Sequence, residues 1–174
     1  VPVARVPYFP EPAAAVMASY QAVVLAGTDQ PVNFFGYEGQ WSNPVAAGVP
    51  KLRVDGDFQD AAEALEALAE ELGAPGKAAI DKFVAGYKVP DVPSGTLTPE
   101  TVCTTLAALQ PENAIIVDEG LTSSMTYFPL GATLAPHSYF MLTGGAIGQG
   151  MLSATGAAVA CPDRPVINLQ ADGS

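Results

Sequence analysis

The chain of 174 residues is long enough for one ordinary domain or two small ones, and its composition of 49% hydrophobic and 14% charged residues is typical of a packed core. The net charge of −11 disfavours binding to nucleic acid or to an anionic membrane surface. Because no apolar run approaches the roughly 20 residues of a membrane span, and because the first residues lack a signal-peptide pattern, we expect a soluble, cytoplasmic protein.

The sequence has few side chains for metal or nucleophilic chemistry. His137 is the only histidine, which excludes a metal site built on several histidines. Its position after Pro136 favours a loop residue near an active-site entrance over a catalyst. Cys103 and Cys161 lie in apolar surroundings without CxxC spacing, which favours two reduced, buried thiols over a disulfide or redox pair.

The first half of the chain predicts short strands and two helices. Continuous apolar runs without alternation are typical of parallel strands that are covered on both faces. A helix over residues 56–73 would be capped by Asp57 and ended by Gly73. The other predicted elements are a helix over 13–21 and strands over 22–26, 32–37 and 51–54.

A proline-rich stretch over residues 88–97 predicts an extended linker, because it contains Pro90 and Pro93 and lacks apolar periodicity. It would separate a first domain over residues 1–87 from a second domain over residues 98–174.

The second half predicts another run of helices and strands. Thr98 is expected to cap a helix whose first residue is Pro99 and whose end lies near Leu109. The further elements are strands over 114–117, 139–142 and 165–170, a short helix over 122–128, and a helix of small residues over 148–160.

Three polar or glycine-rich segments follow these strands, where open α/β sheets place their ligands. The segment 118–124 (DEGLTSS) suits either a phosphate or a helix N-cap, and the two are compatible. The segment 143–150 (TGGAIGQG) precedes a helix whose start would present free N–H groups. This segment matches neither the dinucleotide fingerprint nor a P-loop, and by itself it is structural as often as it binds a ligand.

The third segment, 171–174 (ADGS), offers groups that suit a metal and a phosphate. Asp172 can give one oxygen to Mg²⁺, and Gly173 and Ser174 can donate hydrogen bonds to phosphate oxygens. By itself, this segment would favour an ordinary Asp-Gly turn.

The order of these segments resembles the start of the cofactor-binding domain of thiamine-diphosphate-dependent enzymes, in the branch of acetolactate synthase, benzoylformate decarboxylase and benzaldehyde lyase. The family motif opens with Gly-Asp-Gly-Ser, and Ala171 replaces the first glycine here. The segments 31–40 (PVNFFGYEGQ) and 49–73 resemble the C-terminal part of the family's Rossmann-like central domain, which holds FAD in acetolactate synthases. The resemblance implies an α/β fold in which a parallel-sheet, Rossmann-like portion precedes the beginning of a thiamine-diphosphate-binding α/β domain.

The resemblance also implies roles for individual residues. Thiamine diphosphate and Mg²⁺ would be the cofactors, with FAD left open, and Asp172 would ligate Mg²⁺. The backbone of Gly145 and Ile147 would bind the aminopyrimidine, and the Ile147 side chain would hold the cofactor bent. Glu119 would have a structural position or lie next to the diphosphate. The residues implied to hold the diphosphate are Leu121, Thr122, Ser123, Gly173 and Ser174.

As an activity, the resemblance implies decarboxylation of a 2-oxo acid followed by carboligation, in a homodimer or homotetramer. The family's catalytic glutamate belongs to an N-terminal domain, and the Asn ligand of the metal motif would lie beyond Ser174. We therefore expect no catalytic residue among these 174 residues and no activity from them alone. The alternatives are a nucleotide- or FAD-binding Rossmann-like module and a structural oligomerisation piece without catalysis.

Overall fold

A computed structural model describes residues 4–39, 41–76 and 86–174. These residues divide into two compact units, one up to residue 76 and one from residue 86 onwards. Within the described residues, no helix combines the length and apolarity that a bilayer span requires. Lys88, at the start of the predicted linker, donates its N–H to the carbonyl of Thr133 at 2.8 Å, so this residue is hydrogen-bonded within the second unit.

The first unit contains two short parallel strands and two helices. Helix α1 spans Pro10–Met17, β1 Val23–Leu25, β2 Lys51–Arg53 and α2 Ala61–Glu71. Strands β1 and β2 pair in parallel, with Val24 opposite Leu52. The carboxylate of Asp55, after β2, accepts a hydrogen bond from Gly27 N–H, after β1, at 3.1 Å.

Helix α2 begins one turn later than the sequence predicts. Its N-cap is Asp60, whose side chain accepts hydrogen bonds from the N–H groups of Ala62 and Glu63 at 2.7 and 3.2 Å. The predicted cap at Asp57 is therefore wrong, because Asp60 satisfies the free amides of the first turn. The predicted end is confirmed, since Gly73 has φ +61°, a conformation that glycine adopts without strain at a helix C-terminus.

The predicted strand over residues 32–37 is wrong, because these residues form turns and irregular structure. Phe34 and Phe35 bury part of their surface against other rings and need no sheet to do so. Their ring centroids are 5.0 Å apart, and Phe35 lies 5.8 Å from Tyr37. The aromatic cluster consists of Tyr8, Phe9, Phe34, Phe35 and Tyr37.

The second unit is a three-stranded parallel sheet with helices, which confirms the predicted α/β class. Thr98 caps α3 as predicted: its hydroxyl accepts the N–H of Thr101 at 3.2 Å, and the Thr101 hydroxyl accepts the N–H of Thr98 at 2.8 Å. The predicted helix over 122–128 is replaced by a 3-10 turn over Leu121–Ser123 and a helix that starts later. The elements are α3 Pro99–Leu109, β3 Ile115–Glu119, α4 Tyr127–Gly131, β4 Ser138–Met141, α5 Gln149–Ala160 and β5 Val166–Gln170.

The strand order β4-β3-β5 places β3 in the middle of the sheet. One face of β3 is covered by a core cluster in which Ile116 lies with Cys103 of α3 and Tyr127 of α4. Helix α5 packs on β3 and β5. Because side chains alternate between the faces of a strand, Ile115, Val117 and Glu119 share the face opposite Ile116. The central strand is thus covered on both sides, which explains its continuous apolar sequence.

Candidate functional site

The three sequence segments predicted to bind the cofactor meet at one edge of the three-stranded sheet. Asp118 pairs with Met141 of β4 on one side and with Leu169 of β5 on the other, so the strands end at the same level. Neighbouring strands lie about 4.8 Å apart, and all three loops therefore leave the sheet close together. This is the carboxyl edge, where parallel α/β sheets bind ligands.

The loop after β3 is a 3-10 turn that presents its side chains outwards. Leu121 has φ +47°, which is uncommon for a residue with a side chain, and Thr122 and Ser123 are exposed. The buried Cys103 thiol donates to the carbonyl of Ser123 at 3.3 Å and ties the turn to α3. Among the described residues, the N–H of Thr122 has no acceptor, so it is available to a ligand.

The loop after β4 is shaped by glycines in the left-handed region. Gly144, Gly145 and Gly148 have φ values of +59°, +65° and +87°, which side-chain-bearing residues adopt only with strain. Ile147 is 75% exposed at the tip of the loop. The N–H groups of Gly145 and Ile147 donate to no residue in the described part of the chain. The loop thus offers two backbone donors and one apolar side chain to a ligand.

A side chain outside the sequence-predicted ligand set connects the loops. Glu119 is only 1% exposed, and its carboxylate accepts the N–H groups of Gly148 and Gly150, each at 2.5 Å. Burial by itself raises the pKa of Glu119. Hydrogen bonds from Gly148 N–H and Gly150 N–H outweigh burial and hold that pKa well below its ordinary value, at about 2. The expectation that the start of α5 presents free N–H groups is therefore wrong for Gly148 and Gly150.

The close approach of Glu119 to α5 depends on Gly150. A methyl group on Gly150 would lie 2.7 Å from Oε2 of Glu119 and 2.9 Å from Oε1 of Gln170. Both distances are shorter than normal contacts between carbon and oxygen. Glycine at position 150 is thus what lets the carboxylate reach the first turn of α5.

The loop after β5 presents one carboxylate and a turn. Asp172 and Gly173 are exposed, and Ser174 donates its N–H to the carbonyl of Ala171 at 3.3 Å. The described residues contain no group of three or more His, Cys, Asp or Glu side chains that could hold a metal. A lone exposed carboxylate still fits Mg²⁺, because Mg²⁺ usually takes one or two carboxylates plus phosphate oxygens and waters.

The side chains of Asp118 and His137 make structural contacts. Asp118 accepts hydrogen bonds from Gly120 N–H at 2.9 Å and from the Tyr139 hydroxyl, so it braces the start of the β3 loop. His137 precedes β4 and therefore lies at the amino edge of the sheet, away from the three loops. Its Nδ1 is 2.8 Å from the carbonyl oxygen of Ala135, which fixes the ring locally.

Sequence reasoning named exposed residues as ligands but did not identify the residues that hold the loops in place. Glu119 and Cys103 are buried, whereas the half-buried Gln149 accepts the N–H of Thr143 through Oε1 at 3.2 Å. The available signal was the pair of carboxylates that directly follows the apolar run 114–117. A charged residue that continues a fully buried strand must be hydrogen-bonded, and this predicts a partner without identifying it.

No protein-family model matches the chain. Among named proteins, it is 45% identical over 172 residues to IlvX of Mycobacterium tuberculosis, which is named as an acetolactate synthase large subunit. That match covers 99% of this chain and 32% of the relative, so the chain spans about a third of the relative's length. It is also 39% identical over 80 residues to benzoylformate decarboxylase of Pseudomonas aeruginosa, which covers 46% of this chain and 15% of that protein. Together with the two parallel sheets, these matches confirm the resemblance drawn from the three segments. Over almost its whole length, the chain is thus similar to part of a protein of the thiamine-diphosphate-dependent enzyme family of acetolactate synthases and benzoylformate decarboxylases.

Proposed function

We propose that these residues form part of a thiamine-diphosphate- and Mg²⁺-dependent enzyme that decarboxylates a 2-oxo acid and joins the remaining acyl unit to an acceptor, as an acetolactate synthase does. One observation carries this proposal: the three loops whose sequence resembles the family motif leave the sheet at one edge, with Glu119 bonded to the β4 loop. When bound, the cofactor would supply the nucleophilic carbon and the electron sink that decarboxylation requires.

The proposed diphosphate site lies between the β3 and β5 loops. Thr122 and Ser123 offer hydroxyl groups from the turn after β3, and Gly173 offers an exposed backbone from the turn after β5. Leu121 and Ser174 contribute backbone on either side. Asp172 would ligate the Mg²⁺ that neutralises the diphosphate.

The proposed aminopyrimidine site lies on the β4 loop. The N–H groups of Gly145 and Ile147 point to no acceptor in the described part of the protein, and a ring with nitrogen acceptors would satisfy them. The exposed Ile147 side chain would press against the bound cofactor and hold it bent. In this role Ile147 positions the ligand, since it has no group that could transfer a proton.

We propose further that the active enzyme is a homodimer or homotetramer in which a partner subunit supplies the catalytic acid or base. Residues 1–174 by themselves would then bind thiamine diphosphate poorly and turn nothing over. The outward surface of α5 is apolar, with Leu152 77% and Val159 79% exposed, and small residues such as Gly156 lie between them. That surface supports close packing of another helix. The proposal leaves open whether FAD is a further cofactor of the enzyme.

The alternative of a nucleotide-binding module in the first unit has less support. An acidic residue after a strand can hold a ribose only when its oxygens are free. Asp55 follows β2, but Oδ1 accepts from Gly27 N–H and Oδ2 accepts from Arg53 at 3.4 Å. Its carboxylate is therefore already used in holding the two strand ends together.

The proposal is tested with the full-length protein, by measuring CO₂ release from pyruvate, 2-oxobutyrate and benzoylformate with thiamine diphosphate and Mg²⁺ present. We expect activity with at least one 2-oxo acid. Replacing Asp172→Asn should reduce it at least about 10-fold, since metal-assisted charge neutralisation is worth several kcal/mol. Asp163→Asn, an exposed aspartate at the other edge of the sheet, is the matched control and should be neutral. An equally active Asp172→Asn protein would contradict the metal assignment, and inactivity towards every 2-oxo acid would contradict the proposed reaction.

A further inference from the structure

Glu119 makes an unusual set of contacts for a carboxylate at the end of a buried strand. Its two oxygens separately accept the N–H groups of Gly148 and Gly150, so one side chain holds both sides of the first residue of α5. Glu119 therefore connects the end of its own strand to the β4 loop and to the first turn of α5.

These contacts fix the conformation of the β4 loop without a ligand. Gly148 is in the left-handed region at φ +87°, and this is the residue where the loop turns into α5. Its N–H must point into the protein to reach Glu119. Because the Gly148 N–H belongs to the peptide group that joins Ile147 to Gly148, the hydrogen bond fixes the orientation of that peptide group, directly after the Ile147 side chain.

The same contacts make the N-terminus of α5 unavailable to a phosphate group. A helix N-terminus attracts anions through its free N–H groups and its dipole. Here the anion is already present, because the carboxylate of Glu119 occupies the N–H groups of Gly148 and Gly150. A diphosphate would have to rely on the β3 and β5 loops and on a metal ion instead.

We propose that Glu119 is a positioning residue, whose buried carboxylate holds the β4 loop in its binding geometry before a cofactor arrives. The part that concerns the cofactor rests on the proposed function above, whereas the part that concerns the loop does not. Glu119 touches no substrate in this role, and its buried oxygens have no free side to exchange a proton with one. A neutral amide of the same shape cannot replace it, since its NH₂ group would face one of the two N–H donors.

The experiment uses the full-length protein and three variants: Glu119→Gln, the charge-conserving Glu119→Asp, and Glu112→Gln as the control. Glu112 is an exposed carboxylate in the turn before β3. Hydrogen–deuterium exchange, read by mass spectrometry on peptides that cover residues 143–152, is measured without cofactor. Binding of thiamine diphosphate with Mg²⁺ is measured by calorimetry on the same samples.

We expect exchange in residues 143–152 to be at least about 10-fold faster in Glu119→Gln than in the unmodified protein, because two protected amides open. Glu112→Gln should leave the exchange rate unchanged. Glu119→Asp keeps the charge on a shorter side chain, so its exchange rate should lie between those of Glu119→Gln and the unmodified protein. The dissociation constant for thiamine diphosphate should rise at least about 10-fold in Glu119→Gln. If Glu119→Gln fails to fold, Glu119→Asp decides the comparison.

Unchanged exchange in both Glu119 variants would overturn the proposal. Faster exchange with an unchanged dissociation constant would overturn the part that concerns the cofactor. If the unmodified protein binds no thiamine diphosphate, the proposed function fails, and the exchange data still decide whether Glu119 holds the loop.

Discussion

Helix α5 contains two glycines whose replacement by alanine should have opposite effects. Gly156 is exposed, and a methyl group added there would meet nothing within 4 Å. Gly150 is buried, and a methyl group there would lie 2.7 Å from Oε2 and 2.9 Å from Cβ of Glu119. The two sites share one helix, so the gain in helix propensity from glycine to alanine is similar at both.

The expected magnitudes follow from two opposing terms. Alanine is favoured over glycine inside a helix by up to about 1 kcal/mol, and Gly156→Ala should gain an amount of this order. Gly150→Ala gains the same term but forces a carbon atom into occupied space, which typically costs about 1–3 kcal/mol. The difference in the free energy of unfolding between the two variants should therefore be about 1–3 kcal/mol, with Gly150→Ala the less stable.

The difference is measured by urea-induced unfolding, followed by far-ultraviolet circular dichroism, with both variants and the unmodified protein under the same conditions. Thermal unfolding of the same samples should give melting temperatures that differ by at least about 4 °C for a unit of this size. Equal stability of Gly150→Ala and Gly156→Ala would refute the close packing of Glu119 against α5. A Gly150→Ala protein that is less stable but exchanges residues 143–152 normally would refute the link between that packing and the loop.

Two further predictions concern pH and a buried hydroxyl. Burial raises the pKa of Glu119, but its hydrogen bonds lower it from the ordinary 4.5 to about 2, so its contribution to stability is complete above pH 4.5 and is lost as the pH falls towards 2. Acid titration of the urea midpoint should accordingly show a shallower fall for Glu119→Gln than for the unmodified protein, and parallel curves would contradict this. Replacing the fully buried Tyr127 by phenylalanine removes the hydroxyl that donates to Oε1 of Gln110 and should cost about 1–3 kcal/mol of unfolding free energy. The double variant with Gln110→Met should recover most of that loss in the same unfolding assay, and a neutral Tyr127→Phe would show that the bond is not formed.

The order of helices and strands in the second unit could be predicted because each element carries a local signal. Thr98 and Pro99 determine the start of α3 through capping and a fixed φ, which involve only neighbouring residues. The apolar runs around Ile116 and Ile167 are strands that neighbouring elements cover. The ends of these strands also placed the three candidate loops correctly at one edge.

The incorrect predictions of a cap at Asp57 and of a strand over residues 32–37 share a physical cause. In both places the local sequence is compatible with more than one structure. Asp57 and Asp60 both suit an N-cap, and only the positions of the amides of Ala62 and Glu63 decide between them. The apolar run around Phe34 can bury its surface through ring contacts as well as through a sheet. Local sequence does not distinguish these outcomes.

The role of Glu119 could not be predicted because its partners are distant in sequence. Gly150 lies 31 residues further along the chain, and the contact exists only once α5 has packed on β3. A buried carboxylate predicts that donors exist, but not which ones. The same holds for Cys103 and the Ser123 carbonyl, which are 20 residues apart.

The strand order β4-β3-β5 has a consequence for how the sheet forms during synthesis. The central strand finds its first neighbour, β4, soon after it leaves the ribosome: Asp118 and Tyr139, which bond across the two strands, are 21 residues apart. Its second neighbour comes much later, and Asn113 and Arg164, which bond at the amino ends of β3 and β5, are 51 residues apart. Until β5 emerges, one long edge of the most apolar strand stays open to other nascent chains. The Asp-Gly turn directly follows β5 and therefore emerges only when β5 can pair with β3. The ligand site and the three-stranded sheet are thus completed in the same late step of folding.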